Sequence, residues 1–341
     1  MRTPKSLLGL MVGSLAVVAV AAPSSANEPR AHAAVACKKA TNIEAIIDDS
    51  GSMSLTDTNR LRVQAMDLLI NALEPAAKLG AVEFGSSFDP TIPAANIVFP
   101  VEPIGPNAAA MKSALDTAIQ ADAGSTDYNA AFTTGRAANS AADARIFLTD
   151  GGHNVGDYAN THLNPAPQAQ TPTYVIGFSS GLAQPTDQQR LQKIADDTGG
   201  KYFALPDSSA LQSVMNEIET QLTCQSPPKT FTDALAQGKS KAHNVALPKK
   251  AKSAQIAISW ASPLDKFRIS GLRIIRGGKV VAKTAKVRKL RIKVNQGATF
   301  TVVKVSRLVK GKLRFTVKAT KIGSDQPKVT LTTQVSQTRR R

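Results

Sequence analysis

The sequence predicts an α/β domain with a doubly wound, mostly parallel sheet, followed by a small antiparallel β-sandwich. Three observations point there. Strand-like and helix-like segments alternate over residues 41–222, the pattern of a parallel sheet with crossover helices. Period-two alternation takes over after Pro228, as half-buried antiparallel strands require. The charge changes sign at the same place. Residues 37–224 hold 11 basic and 21 acidic side chains, net −10, whereas 225–341 hold 28 basic and three acidic, net +25. The chain of 341 residues is 42% apolar, enough for two ordinary domains and too apolar for global disorder.

The first segment reads as a secretory signal over 1–26. Arg2 and Lys5 precede an apolar run from Leu7 to Ala22, and Ser24-Ser25-Ala26 offers small residues for cleavage. A membrane anchor is the alternative, but the run is short and diluted by Gly9, Gly13 and Ser14. No later stretch has about 18 uninterrupted apolar residues. The chain is therefore expected to be secreted or associated with the cell surface, with no transmembrane segment in the mature protein. Residues 27–36 read as an N-terminal linker.

Export permits a disulfide between the two cysteines, Cys37 and Cys224. One stands before the first strand and the other ends the last helix of the first domain. Free buried thiols are the alternative, and Ala34-Val35-Ala36-Cys37 also loosely matches a lipid-attachment site, though polar residues 27–32 separate it from the apolar run.

In the domain over 37–224, Thr41 to Ile47, Gly80 to Phe84, Arg145 to Leu148, Thr173 to Gly177 and Tyr202 to Ala204 read as strands. Thr58 to Leu73, Ala108 to Ile119, Asp187 to Asp197 and Ser208 to Leu222 read as helices, with Thr58 a possible cap. Ser226-Pro227-Pro228 lies in an expected linker, 225–229. The basic sandwich is expected over 230–336, with strands such as 254–260, 289–294 and 312–318, ahead of a basic tail at 337–341.

Three short pieces carry the chemistry: Asp48-Asp49-Ser50-Gly51-Ser52 after a strand, Gly124-Ser125-Thr126-Asp127 before a helical run, and Thr149-Asp150-Gly151 after a strand. In parallel sheets ligands gather at the carboxyl ends of strands, so the first and third should converge. Carboxylate and hydroxyl oxygens are hard donors, suited to Mg²⁺ first and also to Mn²⁺ or Ca²⁺. Asp49 is expected to face solvent and Asp127 to start a helix. His153 reads as a plain loop residue.

From about Thr41 to Leu222 the chain resembles the von Willebrand factor A family. Asp48, Ser50 and Ser52, then Thr126, then Asp150 match its metal-ion-dependent adhesion site, and the run from Leu191 to Phe203 is similar to bacterial members. The resemblance implies a non-enzymatic binding or adhesion protein whose metal receives an acidic side chain of a protein ligand. Three other functions stay open. One is an accessory subunit that assembles an enzyme or inserts its metal, which export disfavours. Another is a purely structural cell-surface protein with an idle site. The last is a hydrolase built on Ser50, His153 and Asp150, which lacks a Gly-x-Ser-x-Gly elbow.

The 230–336 region resembles, in shape alone, small β-sandwiches appended to secreted bacterial proteins, including pre-peptidase C-terminal-like modules, through Ile258-Ser259-Trp260 and Lys312 to Lys318. Its lysines and arginines either keep strand faces soluble, attract a cell-wall or other polyanion, or attract the acidic domain of the same chain. Sequence-specific nucleic-acid reading is not expected, since aromatics do not interleave with the basic residues.

Overall fold

The computed structural model describes residues 39–339, apart from 86–87, 90, 121–123, 167–169, 179–183, 206–209, 250 and 284–288. The expected signal segment, the linker at 27–36 and Cys37 lie outside the described residues. Among the described residues no cysteine is free, and no helix is long and apolar enough to cross a membrane.

The first sheet has six strands: β1 (Asn42–Asp48), β2 (Lys78–Phe84), β3 (Ala95–Pro103), β4 (Ala144–Thr149), β5 (Thr173–Phe178) and β6 (Lys201–Leu205), in the order β3-β2-β1-β4-β5-β6. All neighbours are parallel except β2 and β3. Among the described residues, the connections carry α1 (Met53–Thr56), α2 (Leu61–Ala72), α3 (Ile104–Ala118), α4 (Tyr128–Ala138) and α5 (Pro185–Thr198), and α6 (Leu211–Leu222) follows the last strand. One apolar layer joins Ile43, Ala45 and Ile47 of β1 to α2, α3 and α6. The other joins Ile46, Phe84 and Phe147 to α4 and α5. Successive β1 side chains thus serve opposite faces, and helices cover both, which makes the sheet doubly wound. β3 had no counterpart among the expected strands. It is an edge strand, half exposed and carrying Pro100 and Pro103, the residue type confined to edges.

The basic region forms two antiparallel sheets. One has four strands in the order β11 (Lys279–Lys283), β10 (Lys266–Arg276), β14 (Gly311–Lys321), β8 (Ser240–Leu247). The other has five: β12 (Arg291–Gln296), β13 (Phe300–Ser306), β9 (Ala251–Trp260), β15 (Val329–Arg339), β7 (Lys229–Leu235). Ile256, Ile258 and Trp260 of β9 meet Phe267, Ile274, Phe315 and Val317 of the facing sheet in one core.

The five-stranded sheet is buried on its other face too. Phe300, Val302 and Ala257 join the apolar layer of α2 and α6. Amides line the same seam: Gln212 Nε2 donates to Thr299 Oγ1 at 3.0 Å, Asn216 Nδ2 to Gln334 Oε1 at 3.0 Å, and Gln255 Nε2 to Glu219 Oε2 at 2.9 Å. Polar positions of alternating strands, expected on a wet face, therefore lie in a seam. The segment before β7 is tied down as well, with Ser226 N donating to Gln337 O at 3.0 Å. The described residues of 39–339 belong to one compact unit.

Because α2, α6 and the five-stranded sheet share one core, urea should unfold the oxidised protein in a single transition. Phe300→Ala should lower its stability by about 3–5 kcal/mol. Two separable transitions by intrinsic fluorescence and circular dichroism would contradict the shared core.

Glu44, fully buried on β1, supplies a second test. Burial raises its pKa from 4.5 to about 8, against the pull of Asn139 and Arg145. Folding therefore favours the protonated form. The stability owed to this residue is complete below about 4.5 and is lost as pH rises toward 8. In Mg²⁺, the melting temperature should fall between these limits, and Glu44→Gln should flatten the fall. An unchanged slope in the variant would refute the assignment.

Candidate functional site

β1 delivers Asp48 to the carboxyl edge of the sheet, and β4, its neighbour, delivers Asp150 to the same edge. Asp48 is fully buried. Its Oδ1 accepts the Ser50 N–H at 2.8 Å and its Oδ2 the Thr149 hydroxyl at 2.5 Å. Asp150, also buried, accepts the Ser52 hydroxyl at 2.7 Å on Oδ1 and the Thr56 hydroxyl on Oδ2. The Ser50 and Ser52 hydroxyls stand 3.2 Å apart. Ser52 is exposed, so the cluster reaches solvent there.

Thr126 arrives on a loop braced by Asn154. Thr126 N donates to Asn154 Oδ1 at 2.9 Å and Asn154 N returns a bond to Thr126 O at 3.1 Å. Two glycines allow the loops to close up. A Cβ on Gly85, whose φ is +86°, would stand 2.9 Å from Ser50 Cβ and 3.0 Å from Ser125 O. One on Gly151 would stand 3.1 Å from Thr126 Oγ1 and 3.7 Å from Ser52 Oγ. All five expected residues, Asp48, Ser50, Ser52, Thr126 and Asp150, therefore come together.

Burial raises the pKa of Asp48 from 3.8 to about 7, and the charge of Asp150 adds to the shift. Burial also raises Asp150, with the Thr56 and Ser52 hydroxyls opposing it. Two buried carboxylates that resist ionising side by side, with three hydroxyl groups gathered round, fit a hard divalent cation. Asp48, Ser50, Ser52, Thr126 and Asp150 could hold it. The set is hydroxyl-rich: among the described residues no cluster of three or more His, Cys, Asp or Glu suits a metal.

Asp49 corrects an expectation. It is buried rather than facing solvent, and its Oδ1 lies 2.6 Å from Arg62 Nη2. Its Oδ2 accepts the Gln120 N–H at 2.9 Å. The cap of α2 also differs, because Asp57 rather than Thr58 accepts the Leu61 and Arg62 N–H groups, at 2.7 and 2.9 Å. Asp127 starts α4 as expected, accepting from Asn129 N and Ala130 N. His153 is more than a plain loop residue. Its ring is buried beside Tyr128 and Tyr158, and Nδ1 accepts the Tyr128 N–H at 3.1 Å. It thus braces the Thr126 loop, while the Ser50 hydroxyl pairs with Ser52. No Ser50–His153 relay is formed. Thr149, Thr56 and Arg62 were not picked out from the sequence. Thr149 sits inside the Thr149-Asp150-Gly151 piece, whereas Thr56 and Arg62 carry no local signal.

No protein-family model and no curated protein matches the sequence. Solved structures do. A von Willebrand factor type A protein from Catenulispora acidiphila is 16% identical with a TM-score of 0.43, the alignment covering 88% of this chain and 63% of that one. Proximal thread matrix protein 1 from the mussel byssus is 13% identical with a TM-score of 0.43, covering 59% and 50%. The pilus adhesin SpaC from Lactobacillus rhamnosus GG is 12% identical with a TM-score of 0.43, covering 88% and 44%. The chain thus spans between about two fifths and two thirds of these proteins' lengths. The strand order, the antiparallel edge strand and the turn that follows β1 give the first part of this chain the doubly wound α/β fold that its resemblance to the von Willebrand factor A family implies, and it continues into a β-rich region.

Proposed function

We propose that the chain is an exported, non-enzymatic binding protein whose divalent cation, held by Asp48, Ser50, Ser52, Thr126 and Asp150, receives an acidic group of a protein partner. The observation that carries this reading is the convergence of two buried carboxylates and the hydroxyl groups on an edge that opens to solvent at Ser52. Two carboxylates leave a divalent cation formally neutralised with no anionic ligand to spare. Its remaining affinity is for one more oxygen donor, and a partner's carboxylate supplies that with charge. Mg²⁺ is the favoured ion, with Mn²⁺ or Ca²⁺ able to replace it.

A protein partner is favoured by the rim. Leu55 is 83% exposed, Phe88 68%, Ile92 46% and Val155 40%. They lie on the segments that follow β1, β2 and β4, so they leave the sheet at the edge that carries the site. Apolar side chains around a polar centre suit a protein interface.

The basic region is proposed to hold the protein on a linear polyanion of the cell envelope. On the outer face of the four-stranded sheet Arg268 stands opposite Lys318, and Arg273 opposite both Arg314 and Lys283. Like charges directly opposite destabilise a sheet. Among the described residues of 229–339 no lysine or arginine is ion-paired. Among the described residues no exposed aromatic accompanies this face, and base stacking is not part of the reading.

Two experiments test these readings. In pull-downs from surface extracts, EDTA and Asp150→Ala should each abolish capture, and Leu55→Ser with Phe88→Ser should weaken it while Mg²⁺ binding persists. Equal capture by every form would refute the metal mechanism. On a polyanionic resin, the full chain should elute at a salt concentration that falls clearly on Arg268→Ala, Arg273→Ala and Arg314→Ala combined. Unchanged elution would remove this face from the reading.

A further inference from the structure

A cavity of about 860 Å³ lies where the five-stranded sheet meets the ends of α2 and α6. That volume is the size of a small-molecule site, and junctions between packed parts are where such sites form. Its floor is sheet: Arg291 and Lys293 of β12, Lys304 and Ser306 of β13, Ser253 of β9 and Thr338 of β15. Ala72, Glu74, Glu219 and Thr223 wall it from the helix ends.

The register orders the floor. Lys293 is directly opposite Lys304, Arg291 opposite Ser306, and Ser306 in turn opposite Ser253, which pairs with Thr338. One row is doubly cationic and the next runs from a guanidinium into three hydroxyls. The two wall carboxylates are already engaged. Glu74 lies 2.5 Å from Lys39 Nζ. Glu219 accepts from Gln255 and Gln225, each at 2.9 Å. Lys304 turns its ammonium to the carbonyls of Ala72 and Leu73 at the end of α2. Arg291 and Lys293 are exposed at the cavity, without an ion partner among the described residues, as are Lys289 and Arg307 on its border.

We propose that this cavity binds a small phosphorylated polyol, a sugar phosphate in its simplest form, with the phosphate held by Arg291 and Lys293 and the polyol over the Ser306–Ser253–Thr338 hydroxyls. A guanidinium fork beside an ammonium matches the several acceptor oxygens of a phosphate. The hydroxyl row matches a ligand with many hydroxyls, while the Gln225 and Gln255 amides are spent on holding Glu219. The lining contains no aromatic ring, so a stacked base or ring is not what it is shaped to take. The site is separate from the metal cluster and from the outer basic face.

The test is titration calorimetry on the full oxidised chain, with glucose 6-phosphate, glucose and inorganic phosphate as probes at near-physiological salt. Glucose 6-phosphate should bind once per chain. Arg291→Ala with Lys293→Ala should weaken it by about tenfold or more, with the melting temperature and elution from the polyanionic resin little changed. Ser253→Ala with Ser306→Ala should weaken glucose 6-phosphate while leaving inorganic phosphate unaffected. Absence of binding would overturn the proposal. So would binding indifferent to Arg291 and Lys293, or lost equally with Arg268→Ala and Arg314→Ala. Inorganic phosphate binding as tightly as the sugar phosphate would overturn the polyol half.

Discussion

Arg62 lies wholly inside the protein with its guanidinium between two carboxylates, Asp49 at 2.6 Å and Asp57 at 3.1 Å, neither of which reaches solvent. Removing one partner of such a buried pair costs about 3–5 kcal/mol, because the other charge is left stranded. The arrangement fixes the turn after β1. Asp49 is drawn toward α2, and the preceding residue, on the opposite side of the strand by simple alternation, is left to face Asp150. Asp57 in turn caps α2 through the backbone of Leu61 and Arg62. The same guanidinium opposes, after the Thr56 and Ser52 hydroxyls, the burial that raises Asp150, so one buried cation shapes the turn and moderates the charge it brings together.

From that anchor α2 runs to the seam. Gln64 Oε1 accepts the Ala298 N–H at 3.2 Å. The carbonyls that α2 leaves unpaired at its end are taken by Asn295 and Lys304, a lysine where the helix dipole favours positive charge. α6 lies beside it, its amides paired with Thr299, Gln334 and Gln255. The Asp48 turn and the basic sheets are therefore both braced by α2, with α6 adding to the hold on the sheets. The β-rich region packs onto the helix layer that α2 and α6 form over the first sheet.

What the sequence made legible follows from how local the signals are. Asp48, Ser50 and Ser52 sit within five residues after an apolar strand, and Asp150 follows another, so the strand pattern alone placed them on one edge. Thr126 needed the family resemblance, since nothing local distinguishes it from a helix-start residue. Asp49 and Arg62 escaped because their meeting depends on how α2 docks, which no spacing encodes. β3 escaped because its prolines and half-exposed pattern weaken the strand signature. Gln255 and Ser259 escaped for a subtler reason. A polar residue at every second strand position means water only if nothing covers that face, and here helices distant in the chain cover it, α6 with matching amides.

The charge division acquires a different meaning from this packing. Apolar groups and amides make the seam, so most of the positive surplus of 225–341 is not consumed in holding the acidic part. It stays in solvent, at a cost in sheet stability where Arg273 faces Arg314. An acidic domain, net −10, is by itself a poor long-range lure for an acidic ligand. Packed against a region of net +25, it belongs to a chain of net +17, whose field reaches anions over a Debye length of about 8 Å at physiological salt and about 30 Å when salt is low. Under the proposed function, the basic sheets would govern encounter and the Asp48 turn selection. The shared core of α2, α6 and the five-stranded sheet would then hold the two regions at a constant distance for a partner that engages both.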